Sequence, residues 1–350
     1  MSENPKALQL FSPVRIWITI FIGLAVASYL MYKEYDPKNF ENLSWSWTAT
    51  LWIAVAILMI ALRDFAYMVR IRILTDNKIS WRNSFDTIML WEFASAITPS
   101  VVGGSGVAIY IVNKEGVGLG RSTAVVLSSA FLDELFYILM VPTIIAIVGV
   151  SELFPAGLET ELLGTTWGSQ DLLVLGYYFI LFLTSFICYA IFFRPRGFKW
   201  ILLKVFSLPF LRKWRVVAGE TGDEIMITSK ELRHKPFSFW FKAFAATFVS
   251  WTARFWVVNF IILAFISVDQ HLLIYARQLV MWVILLISPT PGGTGVAELA
   301  FSGFLTIFIP IGLAGTLAFI WRIISYYPYL FIGAIILPRW VKRTHSGKKK

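Results

Sequence analysis

Two short segments of the chain combine proline, glycine and hydroxyl side chains in the same order. Ile97–Ala108 reads Ile-Thr-Pro-Ser-Val-Val-Gly-Gly-Ser-Gly-Val-Ala, and Ile287–Ala297 reads Ile-Ser-Pro-Thr-Pro-Gly-Gly-Thr-Gly-Val-Ala. Because proline ends a helix and glycine permits a tight turn, each segment predicts a broken helix whose second half starts with free N–H groups. Such a helix start attracts negative charge, so the chemistry indicated is binding of an anion such as a phosphate.

The predicted site residues in these two segments are small or carry a hydroxyl group. They are Thr98, Ser100, Gly103, Gly104, Ser105, Gly106, Ser288, Thr290, Gly292, Gly293, Thr294 and Gly295. The alternative is that the glycines form packing turns, since small residues let membrane helices approach closely. Duplication of the ordered pattern favours a binding site. A nucleotide loop is excluded because no Gly-Lys-Ser/Thr follows the glycines.

Ionisable residues inside apolar segments form the second group, since a charge in the bilayer is costly and therefore indicates function. The predicted site includes Asp133, Glu134, Arg254, Glu298 and Arg322, and also Tyr326, one turn after Arg322. Asp133 and Arg322 occupy equivalent positions in the two repeats, which predicts an acid–base pair between them. The alternative is a set of structural ion pairs, in which these acids and Glu92 balance the two arginines.

Other chemistry finds little support in the sequence. The chain has one cysteine, Cys188, and its three histidines lack metal-ligand spacing to one another. No nucleophile has a partnered base. We therefore expect no metal, no cofactor and no enzymatic activity.

The composition indicates the elements that position these residues. Hydrophobic residues make up 57% of the 350 and charged residues 15%, well below the roughly 25% of a soluble protein. The sequence predicts a polytopic membrane protein with apolar segments at 14–31, 45–62, 84–112, 122–150, 172–193, 237–268, 271–311 and 313–337.

The formal net charge of +10 is distributed unevenly between the loops. Residues 63–83 carry a net +3 and residues 194–236 a net +6, whereas residues 151–171 contain acidic residues and no basic ones. Basic loops lie in the cytoplasm. This predicts a multi-pass protein of the inner (cytoplasmic) membrane with both termini cytoplasmic, and leaves no reason to invoke nucleic acid.

The same topology requires the segments at 84–112 and 271–311 to enter and leave the membrane on one side. The predicted fold is therefore all-α and polytopic, an inverted-topology repeat with two broken or re-entrant helical hairpins. The chain, 1–350, is a single transmembrane domain with repeat units at about 45–150 and 237–337 and a cytoplasmic basic loop at 194–236. Within that loop, residues 198–217 alternate basic and apolar side chains, which predicts either an amphipathic helix on the inner leaflet or a plain linker.

Four stretches of the chain resemble the lysylphosphatidylglycerol synthase transmembrane, or flippase-like, family. They are Ile97–Ala108, Gly116–Ser122 leading towards Asp133, Ser288–Glu298, and Trp321–Pro328 through Gly333. The resemblance implies transfer of membrane phospholipids between leaflets. Well-known members add a cytosolic aminoacyl transferase domain, which we do not expect here. Many also have a Glu-Arg pair shortly before the aspartate, where this chain has Ser129-Ala130.

Three functions remain open from the sequence. The first is a flippase for a lipid with a charged headgroup, whose partners are membrane phospholipids with an anionic or aminoacylated headgroup. The second is a proton-coupled secondary transporter of a small anion. The third is a membrane-embedded transferase acting on polyprenyl-phosphate lipids. The sequence does not specify the oligomeric state.

Overall fold

A computed structural model describes residues 44–98, 100–154, 159–162, 165–208, 212–286, 296–310 and 313–346, together with Tyr32. The α-helices are α1 (Trp47–Leu74), α2 (Trp81–Ile97), α3 (Ser100–Lys114), α4 (Leu119–Val148), α5 (Val150–Leu153), α6 (Ser169–Cys188), α7 (Pro195–Val205), α8 (Arg215–Arg233), α9 (Phe237–Phe265), α10 (His271–Leu286), α11 (Val296–Leu305), α12 (Ala314–Ser325) and α13 (Tyr327–Ser346). The other elements are a π-helical turn (Tyr189–Phe193), a 3₁₀ turn (Arg212–Trp214) and an antiparallel hairpin of β1 (Glu159–Leu162) and β2 (Thr165–Gly168).

The long helices confirm the prediction of an all-α polytopic membrane protein. Within the described residues, α1, α4, α6, α9 and the α12–α13 pair are long and apolar enough to cross a bilayer. Large apolar side chains on these helices, including Trp47, Leu58 and Tyr178, are more than half exposed, as lipid-facing residues are. The apolar segment predicted at 14–31 lies outside the described residues.

Helix α1 corrects the first predicted loop. The helix begins after Ser46, whose Oγ accepts the Ala49 N–H, and continues to Leu74 rather than ending at residue 62. Arg63 and Arg70, assigned from the sequence to a cytoplasmic loop, therefore lie inside the helix, and both are buried. The positive-inside rule counted them as surface charges because two of the carboxylates that balance them, Glu92 and Asp133, are distant in sequence.

Helices α1 and α9 form the central antiparallel pair of the fold. Small residues allow the two backbones to approach, since Ala49 and Ala56 on α1 are fully buried. The Trp52 and Phe260 rings stack with centroids 5.5 Å apart, and Ser250 Oγ donates to the Arg63 carbonyl at 3.2 Å. Farther along α1, the Arg70 guanidinium also contacts α9, where it donates to Thr247 Oγ1 at 3.1 Å.

The first predicted hairpin consists of α2 and α3. Thr98 is extended (ψ 140°), because the proline that follows disfavours the helical conformation there, and a new helix starts at Ser100. The two helices have 17 and 15 residues, so they are about 26 and 23 Å long, short of a roughly 30 Å crossing.

The glycines of this hairpin do not form the turn that the sequence predicted. Gly103–Gly106 lie in the first two turns of α3, because the chain already leaves the helical conformation at Thr98 and α3 starts at Ser100. A Cβ at Gly104 would lie 2.3 Å from Ser95 Oγ, so this glycine permits close packing of α2 on α3. Gly106 faces open space.

The second predicted hairpin consists of α10 and α11. Helix α10 ends at Leu286 and α11 starts at Val296, so the break between them falls where the sequence predicts it. Ser288, Thr290, Gly292, Gly293, Thr294 and Gly295 lie outside the described residues. Glu298 is in the first turn of α11, and its side chain is likewise outside the description.

The last predicted span is divided between α12 and α13 at Tyr326, two residues before Pro328. Helix α13 lies very close to α2, where a Cβ at Gly333 would be 2.3 Å from Phe93 Cβ. This close approach fixes the end of the chain against the first hairpin.

The end of α13 also contacts the start of α2 and the end of α3, the two ends of that hairpin farthest from its break. Arg343 donates to Asn83 Oδ1 at 2.5 Å and pairs with Asp86 at 3.0 Å, both near the start of α2. It also pairs with Glu115, just after α3, whose Oε1 accepts Trp340 Nε1 at 2.7 Å. Burial raises the pKa of the Glu115 carboxyl above its usual range, and the contacts with Trp340 and Arg343 oppose that shift.

The basic loop at 194–236 folds into α7 and α8, and α8 packs on the start of α4. Glu224 Oε2 accepts the Gly120 N–H at 2.7 Å, which satisfies one of the free donors of the α4 N-terminus. Arg121 pairs with Glu231 on α8 and with Asp76 after α1. The Gly116–Ser122 stretch therefore serves as a docking point for α8.

We expect Gly120→Ala to lower the free energy of unfolding by about 1–3 kcal/mol, the usual cost of overpacking. The added Cβ would lie 2.2 Å from Glu224 Cβ and 2.8 Å from the Ile225 nitrogen. Thermal unfolding in detergent measures the effect. Gly106→Ala is the matched control, because the same change there meets no atom within 4 Å. Equal stability of the two variants would contradict the close packing of α8 on α4.

Candidate functional site

The sequence-predicted acid Asp133 lies in a hydrogen-bonded cluster between α1, α4 and α9. Its carboxylate accepts two bonds from Arg70, at 2.5 Å (Nη1–Oδ1) and 3.1 Å (Nη2–Oδ2), and one from Trp251 Nε1 at 2.8 Å. Thr247 Oγ1 accepts a further bond from Arg70 at 3.1 Å. The predicted pairing of Asp133 with Arg322 is therefore wrong, because α1 supplies a nearer arginine that the sequence analysis had placed in a loop.

Arg254, also predicted from the sequence, lies one turn from Trp251 on α9. Its guanidinium carbon is 4.2 Å from the ring centroid of Trp282 on α10 and 5.2 Å from that of Trp251. Among the residues that the structure describes, it makes no ion pair and no hydrogen bond, and it is partly exposed. Arg254 is thus a cation near the middle of a span, held by two aromatic rings, with its N–H donors available.

The start of α3 and Asp133 lie equally far along their helices from the turn between α3 and α4. Helices α3 and α4 are joined by a short turn, and Ser100 is as far along α3 from that turn as Asp133 is along α4. At 1.5 Å per residue, both positions are about 21 Å from the turn. The first N–H groups of α3 are therefore at the end of the helix far from that turn, whereas its glycines lie closer to it.

A second charged cluster surrounds Arg63. Arg63 donates to Glu92 at 2.6 Å, to Asp64 at 2.8 Å and to the Tyr329 hydroxyl oxygen at 2.6 Å. The Tyr329 hydroxyl in turn donates to Asp64 at 2.9 Å. Glu92 is thus in an ion pair, as the alternative interpretation proposed, but its partner is Arg63. With two carboxylates and one guanidinium, the cluster carries a formal net charge of −1.

Sequence reasoning missed Arg63 and Arg70, although one signal was available. The seven-residue spacing from Ala49 through Ala56 and Arg63 to Arg70 places all four on one helical face. If the predicted helix is extended past residue 62, Arg63 and Arg70 fall on the same buried face as Ala49 and Ala56.

We expect Tyr329→Phe to lower the free energy of unfolding by about 1–3 kcal/mol, because it removes one hydroxyl that both donates to Asp64 and accepts from Arg63. Equilibrium unfolding in mixed micelles measures the loss. Tyr178→Phe is the control, since that side chain is 67% exposed on α6. A Tyr329→Phe protein as stable as the control variant would mean that the hydroxyl is not part of the buried network.

Among the described residues, Arg70 and Trp251 are the hydrogen-bond partners of the Asp133 carboxylate, and neither Glu134 nor Arg322 bonds to it. Glu134 is 7% exposed, and its Oε2 has no hydrogen-bond partner among the described residues. Arg322 is buried with its guanidinium carbon 4.7 Å from the Tyr326 ring centroid, and the Tyr326 hydroxyl donates to the Ala96 carbonyl at 3.1 Å. Arg322 and Tyr326 therefore lie near the break of the first hairpin.

The remaining predicted positions make local contacts or fall outside the description. Thr98 Oγ1 donates to the Ala94 carbonyl of its own helix at 2.7 Å. The side chain of Ser100 lies outside the described part. No group of three or more potential metal ligands occurs among the described residues.

Both clusters, and every helix up to α12, fall within the region that matches a known protein family. The family model described as the lysylphosphatidylglycerol synthase TM region matches residues 16–333. The chain belongs to this family. A curated relative, the "UPF0104 membrane protein" of Archaeoglobus fulgidus, is 26% identical over 335 residues, which cover 91% of this chain and 94% of the relative. Family membership makes this an integral membrane protein, in agreement with its long apolar helices.

Proposed function

We propose that this protein moves a lipid with a charged, phosphate-bearing headgroup between the two leaflets, and that Arg254 binds the phosphate. The observation that carries the proposal is the geometry of Arg254, a mid-span cation between two indole rings with no carboxylate partner among the described residues. A cation is costly in the membrane, and a function that brings an anion to it explains its retention.

Charge balance supports the choice of an anion. Arg70 and Asp133 neutralise each other, so the region around Trp251 keeps the positive charge of Arg254. The free N–H groups at the start of α3 favour the same sign of ligand. A phosphate diester carries one negative charge, and its two free oxygens can accept a pair of parallel hydrogen bonds from a guanidinium.

The Arg63 cluster supports a headgroup that also carries a positive charge. Arg63, at the centre of this cluster of formal charge −1, precedes Arg70 on α1 by two helical turns, about 10 Å along the helix. In this proposal the phosphate of an aminoacylated lipid binds at Arg254 while its ammonium group is attracted to Asp64 and Glu92. Helices α2 and α3 then open towards one leaflet, and α10 and α11 towards the other.

Transfer of labelled lipids in proteoliposomes tests the proposal. Phosphatidylglycerol, an aminoacylated phosphatidylglycerol and a polyprenyl phosphate are each placed in one leaflet, and their appearance in the other is followed by loss of headgroup protection. Protein-free vesicles are the control. We expect at least one of these lipids to move faster with the protein than without it. If each of the three lipids moved at the same rate with the protein as without it, the proposal would be rejected.

Glu134 favours one alternative, a proton-coupled transporter of a small anion. It is a buried carboxyl group with one oxygen unbonded among the described residues, as a proton-carrying group requires. Uptake of inorganic phosphate driven by a pH gradient, in the same vesicles and without lipid transfer, would support that function instead. A covalently altered polyprenyl phosphate recovered from the vesicles would instead indicate a transferase.

A further inference from the structure

Helix α7 leaves one half of its surface uncovered by the other residues that the structure describes. The apolar span α6 passes through the π-helical turn to Arg194, and α7 begins at the next residue, Pro195. The helix therefore follows directly on a helix that is long and apolar enough to cross a bilayer. Proline at the first helical position fits this start, because the N–H it lacks would have had no partner in the helix.

The inner face of α7 is fixed on α8. Lys199 Nζ pairs with Asp223 at 2.6 Å. A Cβ at Gly222 would lie 2.6 Å from Lys199 Cγ, and one at Gly219 would lie 3.7 Å from Leu203. Because α8 is itself anchored on α4, the orientation of α7 is set by the protein.

The opposite face of α7 is apolar at its centre and basic along one side. Trp200, Ile201 and Val205 are 60%, 39% and 45% exposed. Arg196 and Lys204 are exposed one turn before and one turn after Trp200, and Lys204 Nζ lies 4.9 Å from the Trp200 ring centroid. Exposed apolar side chains of this size are unfavourable in water, whereas an indole ring beside basic groups suits a membrane interface.

We propose that this face of α7 binds the surface of the adjacent leaflet through anionic lipid headgroups. Residues 194–215 contain seven basic and no acidic residues, so the segment attracts negative charge. The exposed face also continues from apolar residues of the adjoining span, because Phe186 of α6 and Tyr189 and Phe193 of the π-helical turn are 42%, 55% and 65% exposed. An acidic protein partner would explain the charge but not this continuity with the bilayer-facing surface.

A fluorophore at Val205 reports whether the face meets lipid. Cys188→Ser removes the native thiol, and Val205→Cys then carries an environment-sensitive dye in nanodiscs of mixed phosphatidylcholine and phosphatidylglycerol. A quencher attached to the lipid headgroup measures proximity to the leaflet. We expect quenching that rises with the fraction of phosphatidylglycerol. The same dye at Glu220→Cys, an exposed position of α8, is the control for a site in water.

Charge variants test the role of anionic headgroups. Arg196→Gln and Lys204→Gln are each expected to raise the phosphatidylglycerol fraction needed for half-maximal quenching by about fivefold, the effect of one basic group near a charged leaflet. Lys230→Gln removes an exposed charge from α8 and is expected to change nothing.

Two results would overturn the inference. One is a dye at position 205 that is quenched no more than the dye at position 220. The other is quenching that is independent of both phosphatidylglycerol and the two charge variants. Neither readout involves lipid transfer, so this inference stands or falls separately from the proposed function.

Discussion

Replacing Arg70 with methionine is expected to lower the free energy of unfolding by about 3–5 kcal/mol, the usual cost of breaking a buried ion pair from one side. Asp133 would lose both of its bonds from the guanidinium and keep only the one from Trp251. Thr247 would lose its bond from Arg70 as well. Equilibrium unfolding of the purified protein in mixed micelles measures the change.

Two comparisons separate this effect from a general loss of a surface charge. Arg233→Met changes an exposed arginine of α8 and should leave the unfolding free energy within about 0.5 kcal/mol of the original. The double variant Arg70→Met with Asp133→Leu should recover part of the loss, because no buried carboxylate is then left unpaired. A single Arg70→Met variant as stable as Arg233→Met would refute the pairing.

The second large effect is on transport, at Arg254. We expect Arg254→Gln to slow lipid transfer by about 100-fold, corresponding to about 2.7 kcal/mol for the loss of a charged contact to a desolvated phosphate. Folding should be retained, because no carboxylate among the described residues depends on Arg254. Arg254→Lys keeps the charge and loses the planar stacking on Trp282, so an intermediate rate is expected. Transfer rates in proteoliposomes, normalised to the amount of folded protein, give the measurement.

Lys242→Gln is the control for Arg254→Gln, since it removes an exposed basic residue from the same helix. Its transfer rate should equal that of the unmodified protein. An Arg254→Gln protein that transfers lipid at the full rate would remove the basis for placing the phosphate there, even if other variants were inactive.

The sequence predicted the main elements of the fold because apolar length and proline are local signals. The spans at 122–150 and 237–268 correspond closely to α4 and α9, and the proline at position 99 marked the break between α2 and α3. The two intramembrane charges Asp133 and Arg254 were also recognised without any knowledge of their neighbours. Each of these inferences uses only the sequence within one helical segment.

What the sequence did not predict depends on contacts between helices. Arg63 and Tyr329 are on the first and last described spans, and their hydrogen bond has no trace in either local pattern. The pairing of Asp133 with Arg322 was inferred from repeat symmetry alone. That symmetry stays a prediction, and it does not determine which arginine reaches Asp133 once α1 packs against α4 and α9.

Arg343 has a consequence for how the first hairpin can move. It contacts Asn83 and Asp86 at the start of α2 and Glu115 at the end of α3, and Gly333 seats α13 against Phe93 farther along α2. The three helices are joined at more than one height, so tilting any one of them alone would break several contacts together. The three helices are therefore expected to move together as one rigid body and not independently of one another.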